Sequence, residues 1–250
     1  MAKVTVFAEG GYRYAEGVFQ YSAGVAAEAG FEIERVRLQE PVPLSEGFDR
    51  IATHLAGLGR PLHAFCACEL RSPKPFSESG FEAFNRVYVG MLERWGIFRD
   101  GRNPVARSNV CPELDPPTAP SFYAFSYTVP TPERVARTFV VAGSGEAPEG
   151  LGSYGEHTIR RGDQSIDGLR EKARWVLDEM QRRMAALQFG WIDVTGSQLY
   201  TVYDVHPLIG EELVARGAMR GGLNWHFARP PVVDLDYEMD VRGILLERVI

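Results

Sequence analysis

Three side chains carry most of the chemistry open to this chain: Arg107, Arg229 and Glu238. A guanidinium presents a planar fork that donates two parallel hydrogen bonds to a carboxylate, a geometry lysine cannot reproduce. A carboxyl group beside such an arginine can pass a proton to and from a bound molecule or a water. The arginines stand in Ala106-Arg107 and Ala228-Arg229, 122 residues apart, and the same interval separates Ser22 in Tyr21-Ser22-Ala23-Gly24 from Ser144 in Gly143-Ser144-Gly145-Glu146. A single offset shared by both pairs points to an internal duplication. Each residue also has a plain structural reading. Arginines anchor strand ends through surface ion pairs. Glu238 alternates with Asp234, Asp236 and Asp240 as a solvated sheet face would, and glycine-flanked serines often do no more than satisfy turn backbone. His206, before Pro207, reads as a helix start, and His226 as core or rim.

The elements that must position these residues are legible from periodicity. Val4 to Phe7, Val18 to Val25 and Glu32 to Leu38 read as antiparallel strands. Ser45 reads as an N-cap, followed by Phe48, Ile51, Leu55 and Leu58 on one helical face, with Gly59 as the stop. Leu62 to Leu70 is a buried strand, and Phe81, Phe84, Tyr88, Met91, Leu92 and Trp95 form the core stripe of a second helix. Strands Ala106 to Cys111 and Phe122 to Val129 close the first half. Pro130-Thr131-Pro132-Glu133 reads as a linker, because its prolines discourage both strand and helix. The second half repeats the plan: a strand at Arg137 to Ala142, then a helix with Ile166, Leu169, Ala173, Leu177, Met180, Met184 and Leu187 at steps of three and four. After it come a strand from Gln198 to Val205, a short helix from Ile209 to Ala215, and strands at His226 to Arg229 and Val232 to Val241. The expected fold is α+β: two tandem domains, residues 1–130 and 131–250, each a mainly antiparallel sheet with two helices on one face.

Bulk properties narrow the function. The 250 residues are 45% hydrophobic and 24% charged, with a formal charge of −6. That balance provides a core for each half and argues against nucleic acid or an acidic membrane as partner, since both demand clustered Lys and Arg. No apolar stretch reaches the length of a membrane span. Three cysteines and a start without a long apolar stretch fit a reducing cytoplasm. Cys66-Ala67-Cys68 places both sulfurs on one side of a regular strand and supplies no four-ligand set, so neither metal nor cofactor is expected.

These motifs resemble those of the RidA/YjgF family of reactive-intermediate (enamine/imine) deaminases, over most of both halves. Tyr14-Ala15-Glu16-Gly17 is similar to the family's early Tyr-x-x-Gly, and Tyr21-Ser22-Ala23-Gly24 to its serine turn. Phe84-Asn85-Arg86-Val87-Tyr88 is similar to its Val-Asn-x-x-Tyr, and Pro104-Val105-Ala106-Arg107-Ser108 to its Pro-Ala-Arg-Ser/Thr. In the second half Ala142-Gly143-Ser144-Gly145-Glu146, Ala228-Arg229-Pro230 and Tyr237-Glu238-Met239-Asp240 resemble the serine turn, the arginine motif and the closing Ile-Glu-Ile-Glu. The resemblance implies a trimer-like homo-oligomer with small-molecule sites in clefts between domains. It implies that arginine holds a substrate carboxylate while glutamate helps water attack an imine carbon, with Tyr14, Ser22, Asn85, Tyr123, Ser144 and Gly145 as substrate contacts. Tyr123 stands where the family has its glutamate in the first half, so each copy is incomplete alone: either one half supplies what the other lacks, or one class of site is dead or binds something else. The substrate implied is a small amino-acid-derived carboxylate, 2-aminoacrylate-like or 2-aminomuconate-like, deaminated with release of ammonia. The alternatives are a non-catalytic carboxylate-binding or assembly protein of the same fold, and a chorismatase-like hydrolase suggested by Gly143-Ser144-Gly145 with Arg161-Gly162-Asp163.

Overall fold

The structure is a computed structural model that describes residues 3–132 and 137–250. Glu133 of the expected linker lies outside the described residues. In chain order the strands are β1 (Val4–Phe7), β2 (Tyr12–Ala15), β3 (Gly24–Ala27), β4 (Phe31–Pro43), β5 (Phe65–Arg71), β6 (Ala106–Pro112), β7 (Ser121–Pro130), β8 (Phe139–Gly145), β9 (Gly196–Tyr200), β10 (Leu223–His226), β11 (Ala228–Arg229), β12 (Glu238–Gly243) and β13 (Glu247–Val249). The helices are α1 (Leu44–Gly57), α2 (Glu78–Arg94), the single turn α3 (Tyr154–His157), α4 (Ile166–Ala186) and α5 (His206–Leu208), which runs on as a π-helical turn over Ile209–Val214. The fold is therefore mixed α+β.

Two sheets form, one in the order β1-β2-β3-β8-β12-β9-β10 and the other β11-β6-β5-β7-β4-β13. Within them a four-strand unit occurs twice. In β4-β7-β5-β6 the successive pairings are antiparallel, antiparallel and parallel. In β8-β12-β9-β10 they are the same. The remaining strands cross over: β3 of the early chain pairs with β8, while β11 and β13 of the late chain extend the sheet containing β6 and β4. The 122-residue offset does not follow this topology. It sets Arg107 of β6 against Arg229 of β11, yet β11 pairs with β6 instead of taking its place, and the counterpart of β6 is β10. Connections of unequal length between the same elements break a constant count.

Each sheet carries helices on one face. Phe48, Ile51 and Leu55 of α1 and Phe81, Tyr88 and Leu92 of α2 pack with Phe65, Phe122 and Phe125. Leu169, Ala173, Leu177, Met180 and Met184 of α4 pack with Phe139, Val141, Leu199 and Met239. The other faces of the two sheets meet each other, around small residues such as Ala67, Ala106 and Ala142 and around charge. The arrangement is four layers, helix, sheet, sheet, helix, as expected of amphipathic elements that bury one face each. The period-2 pattern of β12 thus has both faces buried, and the reading of its carboxylates as a solvated row is corrected: Asp236, Glu238 and Asp240 are all buried.

Local chemistry explains most boundaries. Ser77 and Ser165 cap α2 and α4, their Oγ atoms accepting from the backbone N–H of Gly80 and Gly168 at 3.1 Å, which satisfies one of the orphan donors of a helix start. Helix α1 begins earlier than expected, with Pro43 at its N-cap and Ser45 already in the first turn. The expected strand from Val232 shortens to Glu238, because Asp234 adopts a left-handed φ of 72° and Leu235 N–H closes a turn on the Val232 carbonyl. That turn is held by buried ions. The Glu146 carboxylate accepts from the N–H groups of Asp236 and Tyr237 at 2.6 and 3.1 Å, and Lys172 of α4, fully buried, pairs with Asp236 and lies 3.8 Å from Glu146. Burial pushes the Glu146 carboxyl up to about 7, against the pull of those N–H groups and of Lys172. Lys172→Met leaves two carboxyls buried without their cation, and breaking such a pair from one side costs about 3–5 kcal/mol. Urea denaturation of the variant is expected to show a loss of that size at pH 7.

Candidate active site

Arg107 reaches its position because the start of β6 is pinned. Ser22 N–H donates to the Val105 carbonyl at 2.9 Å, Ser22 Oγ donates to the Pro104 carbonyl at 3.2 Å, and Asn103 Oδ1 accepts from Val105 N–H at 3.0 Å. The guanidinium then lies over the rings of Tyr88 (4.9 Å), Tyr21 (5.0 Å), Phe84 (5.4 Å) and Phe81 (5.7 Å). Arg107 is 2% exposed, and none of its three guanidinium nitrogens has a hydrogen-bond partner. Aromatic faces offset part of the cost of burying a cation. They leave the donor fork unsatisfied, and an unsatisfied buried charge costs several kcal/mol. Such a group is built to receive an anion.

Glu238 faces the same cavity from the first position of β12. Opposite it, β8 carries a bulge between the registers of Met239 and Val241, and at Gly143 a Cβ would collide with Glu238 Oε1 and crowd Ser108. The missing side chain is the space the carboxyl occupies. Burial raises the Glu238 pKa well above the usual carboxylate range, nearby Asp240, Glu149 and Glu146 raise it further, and Arg107 opposes them. Burial thus favours the protonated form of Glu238, the form able to donate. Glu149, also on the wall, accepts from Tyr21 Oη at 2.8 Å and from Arg183 Nη2 at 3.0 Å. The cavity measures about 30 Å³, with Tyr21, Arg107, Asn109, Glu149, Tyr154 and Glu238 among its lining. It adjoins an open groove of about 710 Å³ bordered by Phe19, Gln20, Asn85 and Gly150, and Phe81 and Tyr154 belong to both.

The residues singled out in the sequence divide clearly. Arg107, Glu238 and Gly145 line the cavity, and Asn85 lines the adjoining groove. Tyr14 lines a separate pocket of about 180 Å³ with Glu16 and Arg102. Ser22 holds the backbone of β6, as above. Ser144 sits within strand β8, not in a turn, and its Oγ donates to the Gly145 carbonyl at 3.2 Å. Tyr123 is the extra residue where the β5–β7 register shifts, and its ring takes the guanidinium of Arg71 at 4.0 Å. Arg229 is not brought to the cavity: its guanidinium is half-exposed and pairs with Glu113 and, at 3.5 Å, Tyr203 Oη. The short strand β11 points it outward.

Tyr21, Glu149 and Tyr154 were not anticipated, and Phe81 was expected to be core alone. Tyr21 stood in the quoted motif beside Ser22, so adjacency was the available signal; nothing local marks Glu149 or Tyr154, which arrive from a glycine-rich segment. His206 pairs with Asp204 at 2.7 Å on the surface. His226 is held neutral by burial, its pKa lowered to about 4, beside Gln198.

Among the described residues no group of three or more His, Cys, Asp and Glu is placed to hold a metal ion. The reading of Cys66 and Cys68 as pointing one way is corrected by a bulge in β5 between Phe65 and Ala67. Cys66 packs between the sheets and Cys68 against the helices, 3.3 Å from Tyr88 Oη. No helix among the described residues is long and apolar enough to cross a membrane.

A family model described as 2-aminomuconate deaminase CnbZ matches residues 4–248. The 2-amino-5-chloromuconate deaminase of Comamonas testosteroni is 53% identical over 251 residues, covering all of both chains. Among solved structures, a chorismatase is 12% identical with a TM-score of 0.52, covering 93% of this chain and 77% of that one, a likeness of fold. The YjgF gene product of E. coli is 14% identical with a TM-score of 0.32, covering 43% of this chain and 80% of that one.

The three cysteines are buried, and burial pushes their thiols up, Cys68 to about 12. Reaction needs an accessible thiolate. Native protein treated with iodoacetamide at pH 8 is expected to gain no mass, and urea-unfolded protein to gain three adducts.

Proposed function

The chain belongs to the family of the 2-aminomuconate deaminase CnbZ, and from that premise we propose that it hydrolyses the enamine or imine form of a 2-aminomuconate-like carboxylate, releasing ammonia, where Arg107 and Glu238 meet. The observation that carries this reading is one cavity lined by a guanidinium with its fork free and by a buried carboxyl whose pKa is raised. Arg107 receives the carboxylate next to the amine-bearing carbon through paired hydrogen bonds. Glu238 gives its proton to the enamine carbon, which leaves an iminium at the neighbouring carbon. The carboxylate so formed takes a proton from water as the water oxygen attacks that carbon. Glu238 then returns the proton to nitrogen, the carbon–nitrogen bond breaks, and the hydroxyl collapses to a ketone as ammonia leaves, the hydroxyl proton passing to the Glu238 carboxylate and restoring the acid. One water enters and one ammonia departs, and no metal or cofactor takes part.

The repeated four-strand unit supports reading the chain as two tandem modules, residues 1–130 and 131–250, interlocked through β3 and β11. Arg107 comes from the first and Glu238 from the second, so the acid missing at Tyr123 is supplied across the seam. We extend the same reading to a cytoplasmic trimer. The chorismatase-like fold supports one rival, hydrolysis of chorismate; release of pyruvate from chorismate, without ammonia from 2-aminomuconate, would favour it.

Arg107→Lys keeps the charge and loses the fork. It is expected to lower kcat/KM for 2-aminomuconate at least ~100-fold, and Glu238→Gln to lower it ~100- to 10,000-fold, with ammonia release as the assay; near-normal rates in both variants would rule the reading out. The pH profile has a definite sign. A donor with a raised pKa is loaded below that pKa, so kcat/KM holds on the acid side and falls as pH rises through the Glu238 pKa. In the residual activity of Glu238→Gln that alkaline limb is expected to vanish.

A further inference from the structure

The inner cavity is too small for the substrate proposed above. About 30 Å³ holds about two waters, whereas a six-carbon dicarboxylate is several times larger. One carboxylate and the adjoining carbon can occupy the Arg107 end only if the rest of the molecule runs elsewhere. The adjoining space is the groove of about 710 Å³, reached past Phe81 and Tyr154, whose rings stand edge to face with centroids 6.5 Å apart. Tyr154 is carried by α3. Glu78 at the start of α2 tethers that turn, accepting from Ser153 Oγ at 2.8 Å and from Gly155 N–H at 3.0 Å.

The groove carries a polar group that the protein leaves unused. Asn85 is fully buried, and both its amide oxygen and its amide nitrogen lack partners. A buried amide without hydrogen bonds costs on the order of a few kcal/mol. Its neighbour on α2, Phe84, lies under the Arg107 guanidinium at 5.4 Å, so one helix borders both spaces. The wall also brings Gln20, with its Oε1 unpartnered, and Phe19, over which Arg86 holds its guanidinium at 5.7 Å. The acidic groups there are engaged: Glu82 pairs with Arg86 at 2.6 Å, and Glu78 is the tether.

We infer that this groove is the subsite for the far carboxylate of an unsaturated dicarboxylate, with Asn85 Nδ2 as its donor and Phe19, Phe81 and Tyr154 flanking the carbon chain. The inference rests on the proposed function for its substrate class. Its test does not require turnover. Calorimetric titration with cis,cis-muconate, a dicarboxylate without the amine, and with crotonate, a shorter unsaturated monocarboxylate able to fill only the Arg107 end, is expected to show muconate binding at least tenfold more tightly. Asn85→Leu, and separately Asn85→Asp, which keeps the shape and adds a repelling charge, are expected to weaken muconate at least tenfold more than crotonate. Arg107→Ala is expected to weaken both. Equal affinity of the unsubstituted protein for the two probes, or equal losses in whichever Asn85 variant folds by circular dichroism, overturns the subsite. Failure to release ammonia from 2-aminomuconate overturns the deaminase reading and leaves this result standing.

Discussion

Charge is buried between two sheets, and the rest of the structure is organised around that constraint. Low-dielectric surroundings make an unpaired ion expensive and a paired one merely tolerable, so each buried cation on the inner faces needs company. Arg35 is doubly bonded to Glu69 at 2.6 and 2.9 Å and Arg242 is bonded to Glu247, while on the helix side Arg183 of α4 pairs with Glu179 and Glu149. Asp240 is surrounded by donors from Ser108, Gln198 and Tyr200. Against that background Arg107 differs in kind, since Arg35, Arg71, Arg183 and Arg242 each make at least one hydrogen bond and Arg107 makes none. Satisfaction of the neighbours is what gives the exception meaning. A loose interior would let Arg107 swing to a carboxylate; here Glu69, Glu149 and Glu179 are engaged by other arginines, and four aromatic rings surround the guanidinium.

Much of this was legible because it is local. The stripe of α4, with Leu169, Ala173, Leu177, Met180 and Met184 in steps of three and four, is a statement about one helix face and needs no partner to be read. The same holds for the α2 stripe from Phe81 to Leu92 and for the order of strands and helices in each half. Arg107 and Glu238, which line one cavity, were both singled out by residue type and motif.

The rest was hidden by effects that a linear pattern does not record. Bulges at Cys66, Tyr123 and opposite Met239 shift the alternation by one residue, and each changes which way a chemically important side chain points. Strand pairing between β3 and β8 joins residues more than a hundred positions apart, and the acidic side of β12 is buried by packing that no local pattern records. Arg229 shares a dipeptide with Arg107 and differs from it in everything that depends on tertiary context: it ends a two-residue edge strand where Glu113 can reach it.

The crossing of β3 onto β8 also bears on biosynthesis. As the chain leaves the ribosome, the β1–β2–β3 meander is complete more than a hundred residues before β8 appears, so one row of its backbone donors and acceptors spends that interval without a strand beside it. An open edge of this sort invites pairing with another nascent chain. Pairing with β8 closes that edge, so its exposure ends only once the second half of the chain has begun to emerge.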